Sequence, residues 1–215
     1  MNFLSHYFFD QSSDPYFNTG LVLPDLSRNF CKGHLDLNRE FDSPAFIALK
    51  NGSITHLAKD KIFHQSEFFR NAQHEVSVLL DQQGQWPRKW FFNHVFTEIV
   101  LDRVLMDAHP QLCQSFYDDL KAVDANTVAH FLEVAGVQNH GVFAQRFLKF
   151  IEYQFIFDYE HNEKINLALS QLYRRVGIEY EWTTQDHALI QTHLPKIIGI
   201  IADQLDNLTK ELKTA

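Results

Sequence analysis

The chain has 215 residues, 45% of them hydrophobic and 20 of them phenylalanine, enough to build a large core in one domain. Acidic residues outnumber basic ones by 27 to 19, for a formal net charge of −8, which argues against general nucleic-acid binding because that needs a basic footprint. No run reaches the roughly 18 uncharged apolar residues of a membrane span, and the start lacks the basic, apolar and small-residue zones of a signal peptide. The expectation is a cytoplasmic protein with neither membrane nor nucleic acid as partner.

Glycine (8) and proline (6) are scarce and fall mostly between periodic segments. Alternating strand runs and internal repeats are missing from the pattern, which predicts an all-α chain. A short helix begins at Asn2. Asp14-Pro15 reads as an N-cap with a first-turn proline, opening a helix toward Ser27 that Pro24 breaks or kinks just before Asp25. Ser43-Pro44 repeats the cap and starts a helix that stops at Asn51-Gly52. Ser53 then caps a long helix to about Asp81, and Gln82–Pro87 is a loop. Further helices are expected at Lys89–Ala108, Pro110–Ala122, Ala125–Val134, Val142–Phe155 and Asn162–Val176. Thr184-x-x-His187 precedes a last pair of segments split at Pro195. The apolar row Ile197, Ile200, Ile201, Leu205, Leu208 and Leu212 reads as a packing helix or an oligomer contact. Cys31 and Cys113 form no Cys-x-x-Cys pair and read as reduced, buried thiols.

Two helices carry polar rows at i, i+4, i+8 spacing: His56, Asp60 and His64 on one, His94, Glu98 and Asp102 on the other. Each row spreads over only about 80° of a helix face. Imidazoles and carboxylates bind divalent metals, and two of them one turn apart can share an ion. The first row reads equally well as a solvated face, because Thr55, Lys59 and Ser66 make one side of that helix polar. The second lies in a helix that is apolar almost all round, where carboxylates need a metal, a cation or a shared proton. His6 and Asp25 are two further polar residues in apolar surroundings. Taken singly, each reads as a hydrogen-bonded core residue or a cap. Together with the rows they form a cysteine-free set that suits a hydrolytic Mn, Mg, Fe or Zn site.

The same residues carry a family resemblance. The start Met1-Asn2-Phe3-Leu4-Ser5-His6, the segment Gly20 to Asp25, His56-x-x-x-Asp60, Glu98-x-x-x-Asp102-Arg103 and the stretch from Ile165 to Arg175 resemble, in order, the motifs of acyl carrier protein phosphodiesterases. The resemblance covers about residues 1–178, leaving 179–215 as a C-terminal helical extension packed on that domain. It implies a multi-helix bundle similar to the HD-type metal-dependent phosphohydrolases. It also implies hydrolysis of the phosphodiester that links 4′-phosphopantetheine to a serine of acyl carrier protein, with Mn2+ or Mg2+ as first expectation and Fe2+ or Zn2+ as second. By resemblance, His6, Asp25, His56, Asp60 and Asp102 stand at or beside the metal.

His64 and Glu98 complete the expected ligand set, and His56, Asp25 and His94 are the expected acid–base groups. Lys59, Arg70 and Arg103 are candidates to receive the phosphate arm or the acidic carrier. The sequence departs from the family at Arg103, where the pattern leads to a histidine. Either His94 compensates or the activity is lost. The rival readings are a related enzyme acting on another phosphoester and a non-catalytic helical binding protein.

Overall fold

A computed structural model describes residues 1–80 and 86–213; of the expected loop Gln82–Pro87, residues 82–85 lie outside the described residues. Among the described residues there are twelve α-helices, two 3-10 segments and no strand, so the chain is all-α as its periodicity predicts. The helices are α1 (Phe3–Asp10), α2 (Pro15–Gly20), α3 (Leu23–Cys31), α4 (Pro44–Gln65), α5 (Glu67–Leu80), α6 (Lys89–Ala108), α7 (Leu112–Ala122), α8 (Ala125–Val134), α9 (Phe143–Tyr153), α10 (Asn162–Arg175), α11 (Thr184–Asp203) and α12 (Leu205–Lys213). Among the described residues no helix is long and apolar enough to cross a membrane. Both cysteines are buried, and neither is in a disulfide among the described residues.

Several expected boundaries move, each for a local reason. The break expected just before Asp25 falls earlier, so that Val22 stands at the N-cap position of α3 without a side-chain cap and Pro24 sits in its first turn, where a missing N–H costs nothing. Asn51-Gly52 does not end a helix, because α4 runs through it. Gly52 is there for contact: a Cβ on it would run into the Phe17 carbonyl oxygen and come 2.9 Å from Gly20 Cα. Ser53 is accordingly no cap; its hydroxyl donates to Leu49 O at 2.8 Å and lies 3.2 Å from Gly20 O. The long helix expected to reach Asp81 breaks at Ser66, whose Oγ accepts the Phe69 N–H at 3.0 Å and so caps α5. The Glu211 carboxylate adds bonds from the N–H groups of Glu67 and Phe68, placing negative charge at that helix start. Pro195 does not split the C-terminal segment. α11 carries it inside, starts from a Thr183–Asp186 capping box, and buries Leu194, Ile197 and Ile201 around the proline, offsetting the missing hydrogen bond.

The helices group into two compact units. The first comprises Met1–Asn2, Ile62–Pro110 and Ile156–Ala215. Its centre is α6, packed on α5, α10 and α11, with α12 covering α5. Phe92, Phe96, Val100, Leu101 and Leu105 of α6 are almost wholly buried. Trp86 stacks on Phe92 (centroids 4.5 Å apart), and Trp182 packs on Tyr173 and Phe92. In the C-terminal apolar row, Ile197, Ile201, Leu208 and Leu212 are buried within this unit.

The second unit comprises Phe3–Lys61 and Gln111–Phe155. α7 packs on α1, α2 and α9, while α9 also packs on α3 and α8. Its core is aromatic: Phe3, Phe30, Phe116 and Phe143 surround or adjoin Phe150 through tilted and edge-on contacts. Asp119 ties α7 to the N-terminal segment by accepting from Tyr7 O–H (2.8 Å) and Asn18 Nδ2 (2.7 Å).

Candidate metal centre

Three helices of the second unit bring His6, Asp25, His56 and Asp60 together. His6 lies on the buried stretch of α1, Asp25 in the first turn of α3, and His56 and Asp60 one turn apart on α4. The close approach of α2 to α4 at Gly20 and Gly52 precedes Leu21, whose carbonyl oxygen lies 2.7 Å from His56 Nδ1. A carbonyl only accepts, so Nδ1 holds the hydrogen and Nε2 of the neutral ring is left as a bare acceptor. Nε2 faces Asp25 Oδ1 across 3.9 Å. Fixing one ring nitrogen on a backbone carbonyl is how proteins orient a metal-ligating histidine.

His6 is stranger. Its side chain is 1% exposed, yet neither ring nitrogen has a hydrogen-bond partner. The ring stacks on His56, with centroids 3.7 Å apart and planes at 21°. Asp60 Oδ1 stands 3.6 Å from its Nε2, beyond hydrogen-bond reach. An unsatisfied buried polar group costs about 1–3 kcal/mol. Burial, reinforced by the neighbouring His56, pushes His6 well below its ordinary value against the opposing pull of Asp60. Burial likewise lowers His56, outweighing Asp25. Both imidazoles are therefore neutral, the state in which they ligate metals. One ligand atom each from His6, Asp25 and His56 lie within 4.8 Å of one another. Two imidazoles with two carboxylates and no thiolate suit Mn2+, Fe2+ or Zn2+, and the residues present fit a divalent ion.

A second grouping forms in the first unit from His64, His94 and Glu98. Glu98 Oε1 lies 3.1 Å from each Nε2, and the two Nε2 atoms lie 3.2 Å apart. The α-amine of Met1 stands 3.0 Å from the same oxygen. Burial alone would push Glu98 up, but the Met1 ammonium and the two histidines more than offset it and hold the carboxyl well below the usual range.

No protein-family model matches the chain, and no curated protein or solved structure matches it significantly.

The two polar rows of the sequence are thus regrouped. His56 and Asp60 join His6 and Asp25, whereas His64, from the end of the same row, joins His94 and Glu98. Asp102 stands in neither three-residue grouping; it is fully buried in the first unit, where burial and then its charge push the Tyr159 phenol up. The three candidate substrate cations are engaged locally. Lys59 lies 3.8 Å from Asp10, Arg70 donates to Gln65 O at 2.6 Å, and Arg103 donates to Asp107 Oδ2 and Tyr159 O, both at 2.9 Å. The Leu21 carbonyl, which aims His56, carried no sequence signal, because every residue has one.

Proposed function

We propose that the chain is a divalent-metal-dependent phosphodiesterase of the HD-like, all-helical kind, acting on the 4′-phosphopantetheine phosphodiester of holo-acyl carrier protein. The observation that carries the metal is His6, a neutral ring buried without a hydrogen bond to either nitrogen beside a second neutral imidazole and two carboxylates. The carrier as substrate rests on the motif resemblance that begins at Met1 and includes these same four residues. His6, His56 and Asp25 would hold the ion, and their two imidazoles favour Mn2+, Fe2+ or Zn2+ over the Mg2+ that the resemblance also allows. A divalent ion supplies Lewis acidity toward a phosphoryl oxygen and lowers the pKa of water at neutral pH. Leu21 O fixes the His56 ring so that Nε2 is always the atom presented. Asp60, about one-third exposed, would take the proton of the attacking water and return it to the serine oxygen that leaves as the P–O bond breaks. Lys59 draws the phosphate arm by exchanging its pairing with Asp10.

Incubating the protein with holo-carrier and Mn2+, then weighing the carrier by mass spectrometry, tests the reading. The expected product is apo-carrier, lighter by the 4′-phosphopantetheine group, formed only with metal and not by Asp25→Asn or Asp60→Asn. A carrier unchanged with Mn2+, Mg2+, Fe2+ and Zn2+ alike would remove the carrier as substrate, and turnover of a nucleotide phosphodiester in the same screen would put the rival enzyme reading in its place.

A further inference from the structure

The grouping in the first unit is not needed by that mechanism, and its geometry asks for its own explanation. His64 Nε2, His94 Nε2 and Glu98 Oε1 form a nearly equilateral triangle with edges of 3.2, 3.1 and 3.1 Å. Each Nε2 carries at most one hydrogen and the carboxylate oxygen carries none, so three contacts have at most two hydrogens between them. No placement of protons gives every edge a hydrogen bond. Ligand atoms about 2.1 Å from a common ion, at tetrahedral to octahedral angles, stand about 3.0–3.4 Å apart. One ion would satisfy all three edges at once.

We propose that His64, His94 and Glu98 form a second metal site, a two-histidine, one-carboxylate triad that takes a divalent transition-metal ion of the Zn2+ or Fe2+ class. The rings are held for this role. They stack on each other with centroids 4.7 Å apart, and the buried Phe69 meets both edge-on at 5.0 and 5.1 Å. His94 and Glu98 are one turn apart on α6, and His64 comes from the end of α4, so two rigid elements set the triangle. The side chains of His64 and His94 are 29% and 31% exposed, which gives an ion a route in and leaves further coordination positions for water or substrate. Two imidazoles favour Zn2+, Fe2+ or Co2+ over Mg2+ and Ca2+. The donor set matches the facial triad of metal sites that keep open positions, which makes this a reactive centre in outline rather than a structural one.

The test uses the full chain stripped with EDTA and Co2+ as the probe. In His6→Phe, which removes a ligand of the other cluster, about one equivalent of Co2+ should still bind, with visible d–d bands and paramagnetic shifts of the His64 and His94 ring protons. Adding His94→Leu or Glu98→Gln to that background should weaken the remaining binding roughly 100-fold or more, while His64→Asp, which keeps a ligand, should retain it with altered bands. The proposal is overturned if the His6→Phe chain takes up no Co2+, or if Co2+ binds it and leaves the His64 and His94 resonances unmoved. The same His64 and His94 resonances are followed in the EDTA-stripped wild-type chain as Co2+ is added, so the test does not depend on any variant folding. Loss of carrier hydrolysis would leave these signals untouched, and loss of these signals would leave the His6 cluster untouched.

Discussion

Replacing Gly52 by alanine tests how the fold delivers His56 to its cluster. In an exposed helix interior, alanine is favoured over glycine by about 1 kcal/mol. At Gly52 the added methyl would meet the Phe17 carbonyl oxygen and would stand 2.9 Å from Gly20 Cα and from Gly20 C. These are backbone atoms, which cannot rotate away as a side-chain tip can. Overpacking of this sort costs about 1–3 kcal/mol or more, and separating the helices also strains the Ser53 to Gly20 contact, about 1 kcal/mol. The net expectation is a loss of about 1–3 kcal/mol after the propensity gain is subtracted. For a chain of this size that is a fall in Tm of roughly 3–10 °C. Gly199→Ala is the matched control, because α11 leaves open space within 4 Å of that position, so there the propensity gain should stand alone and raise Tm by a few degrees. Thermal melts followed by circular dichroism measure both. Gly52→Ala should also weaken metal uptake at the His6 cluster, since Leu21 O directly follows the α2 turn that is pushed aside. A Gly52→Ala protein that melts at or above wild type would refute the close-contact argument.

Three further outcomes are expected. Metal-free protein should lose stability in acid: the folded-state values of His6 and His56 are lowered, so the unfolded chain binds more protons below about pH 6.5, and each buried neutral histidine costs about 1.4 kcal/mol per pH unit until the folded value is reached; melts in EDTA between pH 7.5 and 5 read this, and a flat profile would contradict it. His6→Phe should keep or raise Tm in EDTA, because it removes two unpartnered buried nitrogens of about 1–3 kcal/mol each, while abolishing the Tm rise on adding Mn2+; a large fall in EDTA would show that the ring is satisfied in the native protein. Glu211→Ala should cost about 1 kcal/mol in urea titrations, since it strips two acceptors and a negative charge from the start of α5, and Glu211→Gln should recover part of that.

How much of this was legible in the sequence depends on whether the governing signal is local. Lys89–Ala108 and Ala125–Val134 are found at the expected residues, the second because Asp124 accepts from the N–H groups of Asn126 and Thr127. Gly52 misled because a helix-ending glycine and a contact glycine look alike in one dimension; only the backbone of α2 distinguishes them. Ser66 was passed over as a polar residue on a helix face, although it caps the next helix. In the candidate site, the i, i+4 spacing picked out residues that the structure does bring into groupings, but it treated each row as a unit. The rows divide because partners come from elsewhere in the chain: His6 is 50 residues from the His56 ring it stacks on, and His64 is 30 from His94. Arg103, a candidate substrate cation in the sequence, pairs with Asp107 one turn along, a neighbour that the i, i+4 spacing does offer.

The placing of the tryptophans gives the two units different optical visibility. All three, Trp86, Trp90 and Trp182, belong to the first unit, Trp86 being buried and Trp90 70% exposed. Intrinsic emission excited at the indole band therefore reports one half of the molecule, while far-ultraviolet ellipticity reports helices of both. Denaturant curves from the two signals should superimpose only if the units lose their structure in a single cooperative step. Where the units instead unfold separately, an ion that tightens the His6 cluster alone would shift the ellipticity curve and leave the emission midpoint where it was, which turns a fluorimeter and a dichrograph into a way of telling the two metal groupings apart.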